Sequence, residues 1–261
     1  MTASEPHVMP AGGEAPAGES APAAFPSLDG DQALGALPTI AHELRGPVHT
    51  LMASVEILLD EIDTLDRKEV RVMLVRMYRQ LLWQQGLLEN LLAAATIPGG
   101  RFQLLTRPLR LDDAVTEIEP VVEPLLLLKN QRFRVTTHDP LPEVLADVRR
   151  IGQVLVNLIQ NASKYSPPDT SIDVDVAARG DCVRVTVADR GPGLPPEGGQ
   201  ALFIPFYRAA NPELATKEGV GLGLAVVRHI VAAHGGRAGA EQRPGGGACF
   251  WFEIPALPAP A

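Results

Sequence analysis

Cysteine is almost missing from this chain of 261 residues, which has two, Cys182 and Cys249. Two thiols so far apart make neither a disulfide framework nor a metal cluster, and a reducing compartment is expected. Each lies in apolar-polar alternation, which reads as a buried strand thiol. Aromatic residues are also scarce, at 5%. Positive charge is in deficit, with 23 Lys and Arg against 31 Asp and Glu and a net charge of -8. That balance excludes a protein that coats nucleic acid, because phosphate binding needs a basic face. No Lys or Arg precedes Arg45, so the positive region of a secretory signal is missing. No run approaches the ~18 uninterrupted apolar residues of a bilayer-spanning helix. The expectation is a cytoplasmic protein without membrane or nucleic-acid contacts. Its 46% hydrophobic residues suffice for the cores of one or two domains.

Three textures follow one another along the chain. Residues 1–30 are about half Ala, Pro and Gly, with four acids and no base, and read as a disordered lead. Within it, Gly13 to Ser20 has the spacing of a phosphate-binding loop. Glu19 stands where that loop needs lysine and would repel an anion, so the match is rejected. Residues 31–97 read as a helical hairpin. Leu37, Leu44, Leu51, Leu58 and Leu65 recur every seven residues, and Ala41, Val48, Val55 and Ile62 recur with them. This is a coiled-coil seam. Pro38 either kinks the first helix or starts it near Thr39, and Pro47 bends it. Asp66 and Glu69 have the spacing of a capping box for a second helix, whose stripe is Val70, Leu74, Met77, Leu81, Leu88 and Leu91, interrupted by Gln84. Two helices with one apolar stripe each cannot hide both, so a second copy completing a four-helix bundle is expected.

Ile97-Pro98-Gly99-Gly100 marks a linker, and residues 101–257 mix strands and helices. Alternation predicts strands at 132–137, 172–176, 183–187 and 248–254, and helices are predicted at 145–164 and 222–234. Residues 111–128 read as a helix that Pro120 and Pro124 must kink or shorten. With no βαβ rhythm, the fold class is α+β: a helical-hairpin dimerisation domain followed by an α/β sandwich.

Four groups of residues carry possible chemistry. His42 and Glu43 lie beside the seam, where a neutral imidazole has one nitrogen free to attack while Glu43 holds the other N–H. His49, one heptad later, lacks such an acid and reads as a solvated surface residue. Asn157 and Asn161 share one face of a helix, where two amide oxygens suit a hard cation such as Mg²⁺, with Lys164 and Tyr165 following. Asp189-Arg190-Gly191-Pro192-Gly193 follows a strand, so a carboxylate could accept from an exocyclic amine beneath a tight turn. Glu218-Gly219-Val220-Gly221-Leu222-Gly223 opens a helix whose N–H groups would face an anion. Between the last two groups runs a long loop holding Phe203, Phe206 and Arg208, which reads as a functional lid or a disordered segment.

Taken in order, the His, asparagine, first glycine, aromatic and second glycine boxes over residues 31–256 resemble a two-component sensor histidine kinase. The resemblance implies a phosphoacceptor hairpin and a Bergerat-type ATP-binding domain using ATP and Mg²⁺. It implies that His42 accepts the γ-phosphoryl group with Glu43 as the polarising base, and that Asn161 with Asn157 holds Mg²⁺. Lys164 and Tyr165 would touch phosphates and nucleotide. Asp189 would bind the adenine amine, with Gly191 and Gly193 shaping its pocket. Gly219, Gly221, Leu222 and Gly223 would cradle the phosphates, and Arg208 would reach the γ-phosphate. An aspartate of a response regulator would then receive the group. Gly46 stands where many relatives carry Thr or Asn to orient a dephosphorylating water. Input is expected from a separate sensor protein or a soluble ligand. Two alternatives stay open: a non-catalytic dimeric adaptor with a decayed nucleotide domain, and a chaperone-like or anti-sigma ATPase.

Overall fold

The computed structural model describes residues 30–96, 103–196, 198–207 and 221–258. Helix α1 runs Gly30–Glu61 and α2 runs Arg67–Thr96. The expected late start near Thr39 is not found: α1 begins at Gly30 and passes through Pro38 and Pro47. Each proline removes one backbone donor and leaves the remaining hydrogen bonds of a 32-residue helix in place. At the start of α2, Asp66 Oδ1 accepts the N–H groups of Lys68 (2.7 Å) and Glu69 (2.8 Å), and Glu69 Oε2 accepts the Asp66 N–H at 2.9 Å. This reciprocal box satisfies donors that helix geometry would leave unpaired.

The apolar stripes of the hairpin divide into two rows. Leu51, Leu58, Val70, Met77 and Leu91 are half-buried. Val48 and Val55 on α1, Ile62 just past its end, and Leu74, Leu81 and Leu88 on α2 are 41–57% exposed. Both exposed rows repeat every seven residues, so each helix turns one heptad row away from its partner helix.

The rest of the chain is an α/β sandwich. Strands β2 (Arg132–His138), β4 (Ser171–Arg179), β5 (Cys182–Ala188), β7 (Ala248–Pro255) and β6 (Arg237–Gln242) form a sheet in the order β2-β4-β5-β7-β6. The β2–β4 pair is parallel and the other neighbours are antiparallel. A two-stranded ribbon of β1 (Arg107–Leu109) and β3 (Val144–Ala146) stands apart. Helices α3 (Leu111–Leu127), α4 (Val148–Tyr165) and α5 (Gly223–Ala233) supply the second layer. Ile172, Val174, Val183, Val185, Phe250 and Phe252 point inward and pack with Ile151, Val154, Leu155, Leu158 and Val226 in one continuous core.

Helix α3 continues through both prolines to Leu127, so the expected shortening does not occur. Pro120 and Pro124 are four residues apart on the side away from the core, so the carbonyls they orphan can meet water. The buried Ala114, Val115, Ile118, Val122, Leu125 and Leu126 hold the helix by packing. Cys182 and Cys249 are in strands as expected, but both are only half-buried. The phase that sends Val183 and Phe250 into the core turns each cysteine to the opposite sheet face.

Candidate functional site

Helix α4 is fixed at both ends, which places its last two turns. At its start, the Asp147 carboxylate accepts N–H groups of Arg149 (3.0 Å) and Arg150 (3.3 Å) through Oδ1, and that of Leu105 (2.9 Å) through Oδ2. Burial alone would raise the Asp147 pKa, but these donors outweigh it and hold the group below the usual range. At its end, Lys129 Nζ donates to the carbonyls of Ser163 (2.6 Å), Lys164 (3.1 Å) and Ser166 (3.2 Å). Gln131 Nε2 donates to the Pro167 carbonyl at 3.0 Å, and the Ser163 hydroxyl donates to Gln131 Oε1 at 2.6 Å. The helix end therefore has partners for carbonyls that would otherwise be orphaned. The sequence reading missed Lys129 and Gln131, since a basic residue 34 positions away carries no local signal.

Asn157 and Asn161 share a face of α4, as their spacing requires, yet their surroundings differ. Asn157 is buried and its amide is engaged: Oδ1 accepts from Asn90 Nδ2 at 2.9 Å, and Nδ2 donates to Asn90 Oδ1 at 3.1 Å. Asn161 is half-buried, and its side-chain amide has no hydrogen-bond partner among the described residues. Lys164 lies 4.8 Å over the Tyr165 ring, a cation–π contact at the end of the same helix.

Asp189 leaves β5 and is 2% exposed. Its Oδ1 accepts the N–H groups of Gly191 (2.8 Å) and Ala248 (3.0 Å). Both bonds fall on one oxygen, so Oδ2 is the acceptor it can offer a ligand. Burial pushes the Asp189 carboxyl above the usual range, and the two backbone bonds with nearby Arg243 and Arg190 offset this only in part. The Arg190 N–H donates to the Ser166 hydroxyl at 3.0 Å, tying this loop to the end of α4. A Cβ on Gly191 would lie 3.0 Å from the Tyr165 carbonyl oxygen, so asparagine box and first glycine box abut. Gly193 adjoins Gln242, whose Oε1 accepts the Leu194 N–H at 2.9 Å.

The second glycine box approaches from the other side. A Cβ on Gly223, the first residue of α5, would lie 3.2 Å from Asn157 Oδ1. Gly221 has φ of 77° and its carbonyl accepts the Phe206 N–H at 3.0 Å, a left-handed turn suited to glycine. Leu222 is buried against Leu87 of α2, with Leu44, Leu91 and Phe206 around them. Arg208, Glu218, Gly219 and Val220 lie outside the described residues, as does the lead 1–29 with its decoy loop. The backbones of His42 and Glu43 are in α1, while their side chains are outside the described set. Leu44, two residues beyond His42, is in the contact with Leu222, so the histidine-bearing stretch and the second glycine box meet across the two domains.

This arrangement fits a nucleotide with a divalent cation. Among the described residues no group of three His, Cys, Asp or Glu side chains is placed to hold a metal. A cation here would rest on the unpartnered Asn161 amide, water and the nucleotide's own phosphates, a donor set suited to Mg²⁺.

Comparison with known proteins agrees with this geometry. Residues 35–100 match the family described as His Kinase A (phospho-acceptor) domain, and residues 146–258 match the histidine kinase-, DNA gyrase B-, and HSP90-like ATPase family. The sensor protein KdpD of Escherichia coli (strain K12) is 35% identical over 86% of this chain and 24% of its own length. The adaptive-response sensory kinase SasA of Parasynechococcus marenigrum (strain WH8102) is 35% identical over 84% of this chain and 56% of its own. The chain thus spans about half of SasA and about a quarter of KdpD. Among solved structures, the catalytic domain of the histidine kinase ThkA is 33% identical, with TM-score 0.51 over 59% of this chain and 99% of its own. Full-length ShkA in complex with AMPPNP is 28% identical, with TM-score 0.59 over 86% of this chain and 46% of its own. ThkA in complex with the response regulator protein TrrA is 25% identical, with TM-score 0.57 over 88% of this chain and 63% of its own. With a phosphoacceptor hairpin leading into an ATPase sandwich, the chain belongs to the two-component sensor histidine kinase family.

Proposed function

We propose that this chain is an ATP-dependent protein-histidine kinase that phosphorylates itself on His42 and passes the phosphoryl group to an aspartate of a response regulator. The observation that carries the reading is Asp189: a buried carboxylate with one oxygen committed to two backbone donors and the other available to an adenine amine. The asparagine box abuts its turn through Tyr165 at the end of α4, and Gly223 at the start of α5 abuts Asn157 in turn.

In this reading residues 31–97 form the dimerisation and phosphotransfer hairpin and residues 101–257 the ATP-binding domain. The N–H groups opening α5, with Gly219, Gly221 and Leu222, receive the phosphates. Lys164 and Arg208 neutralise their charge, and Tyr165, Gly191 and Gly193 shape the base pocket. Asn161, with Asn157 beside it, holds Mg²⁺, which when bound supplies charge neutralisation to the phosphates. A ring nitrogen of His42 forms the new N–P bond as the bond to the β-phosphate oxygen breaks. Glu43 takes the proton from the other ring nitrogen. The ATP supply places this portion in the cytoplasm. The complex of ThkA with TrrA supports a receiver domain as the partner.

Incubation with γ-labelled ATP and Mg²⁺ tests the reading: acid-labile, base-stable label on the protein is expected. Nucleotide binding without label would favour the adaptor instead.

The exposed heptad rows support a homodimer. Burying one such aliphatic side chain is worth about 1.5–3 kcal/mol, so six of them leave a large driving force unused in a single chain. Leu81→Glu is expected to give monomers by light scattering where the wild type gives dimers. A variant that kept the dimer mass would place the interface elsewhere.

A further inference from the structure

We propose that Asn90 latches the hairpin onto the ATP-binding domain by occupying Asn157, and that the latch opposes nucleotide binding. This rests on the reading of α4, α5 and Asp189 as a nucleotide site. Asn90 lies on α2, 67 positions before its partner. Both amides are buried, at 7% and 6% exposure, and each donates to the other. Gln153 Nε2 adds a second donor to Asn90 Oδ1 at 3.4 Å. A two-way amide pair closed off from water opens only if both partners find new ones, since an unpaired buried amide costs about 1–3 kcal/mol.

The latch sits where it can sense the ligand. Asn90 Nδ2 is 3.8 Å and Asn157 Oδ1 3.2 Å from where Gly223 would carry a Cβ, at the first residue of α5. The pair therefore lies against the helix start that receives phosphate. Beside it, Leu87 of α2 and Leu222 of the second glycine box are buried together, with Leu44, Leu91 and Phe206 packed around them. Phe206 and Gly221 are joined by a hydrogen bond in which the Phe206 N–H donates to the Gly221 carbonyl at 3.0 Å. Phe206 itself has φ of 62°, a left-handed conformation uncommon outside glycine. Leu222, just before α5, is thus clamped to the hairpin by leucines, while Asn157 next to α5 is occupied by an amide of the same hairpin. A nucleotide that draws on Asn157 and displaces Leu222 competes with both contacts. By linkage, hairpin docking must then weaken nucleotide affinity by the same factor as nucleotide weakens docking.

Two variants on separate halves of the contact, Asn90→Ala and Leu87→Ala, test this in the full chain. One measurement is the affinity for a fluorescent ATP analogue with Mg²⁺. The other is hydrogen exchange of the α2 backbone around residues 84–92 without nucleotide. The expected result is about five-fold or greater tightening of nucleotide binding in both variants, with faster exchange in α2. Wild-type α2 should also lose protection when the analogue is added. Unchanged or weaker affinity in the variants would overturn the latch, whatever their exchange rates. A wild-type chain that binds no nucleotide at all would instead overturn the site reading beneath it.

Discussion

Asp189→Asn is expected to abolish nucleotide binding while leaving the fold at least as stable as the wild type at neutral pH. Asparagine can keep its oxygen at the position that accepts from Gly191 and Ala248. What changes is the other arm, which becomes an NH₂ donor facing the donor amine of adenine. A site built to hydrogen-bond a ligand group rejects a mismatched partner strongly, and a loss of at least about 100-fold in affinity is expected. Stability moves the other way. Burial raises the carboxyl pKa in the folded state, so Asp189 contributes its full stability only below the ordinary aspartate range, and that contribution is lost as pH rises through the folded value. Once ionised, the wild type carries a buried charge that the variant lacks. The variant should therefore melt at the same or higher temperature at pH 7, and any advantage should fade below about pH 4, where the wild-type carboxyl is protonated. Thermal melts across pH and titration with a fluorescent ATP analogue read both effects. A variant that binds normally, or that melts well below the wild type at pH 7, would contradict this assignment of Asp189.

Asn161→Ala is expected to reduce self-phosphorylation by at least about 100-fold, and by more than Asn157→Ala does. Neutralising the transferred phosphoryl group is a large part of such catalysis, and a cation bound there is worth several kcal/mol. Asn161 is the amide without a partner among the described residues, whereas Asn157 already shares its oxygen with Asn90. The order of the two effects is thus a prediction of the geometry, because sequence spacing treats the two asparagines alike. Labelling rates over a Mg²⁺ titration measure it. Equal rates in Asn161→Ala and wild type would remove Asn161 from the cation site.

Features written in local sequence were legible before any coordinates. The Asp66–Glu69 box needs only four consecutive residues, and β5 and β7 announce themselves by alternation that the core then uses. Strands β1 and β3 have three residues each, too few to show a period. Strand β6, Arg-Ala-Gly-Ala-Glu-Gln, holds no β-branched or aromatic residue. Gly239 in it is occupied from outside, since a Cβ there would lie 2.5 Å from the Trp251 ring. Proline was overweighted as a helix boundary in α1 and α3, because propensity counts lost donors and packing decides where the helix runs. The motifs around Asp189, Asn161 and Gly223 could be read from spacing. Their supports, Asn90, Lys129 and Gln131, could not, because each acts across more than 30 residues of chain. An asparagine on an amphipathic helix looks like any solvated amide until its partner is in place.

The most direct measurement locates the phosphoryl group itself. After incubation with γ-labelled ATP and Mg²⁺, peptide mapping under alkaline conditions should place the label on residue 42 alone, and His42→Gln should carry none while still binding the nucleotide. Label that persists in His42→Gln, or that maps to a serine, threonine or another histidine, would contradict the account.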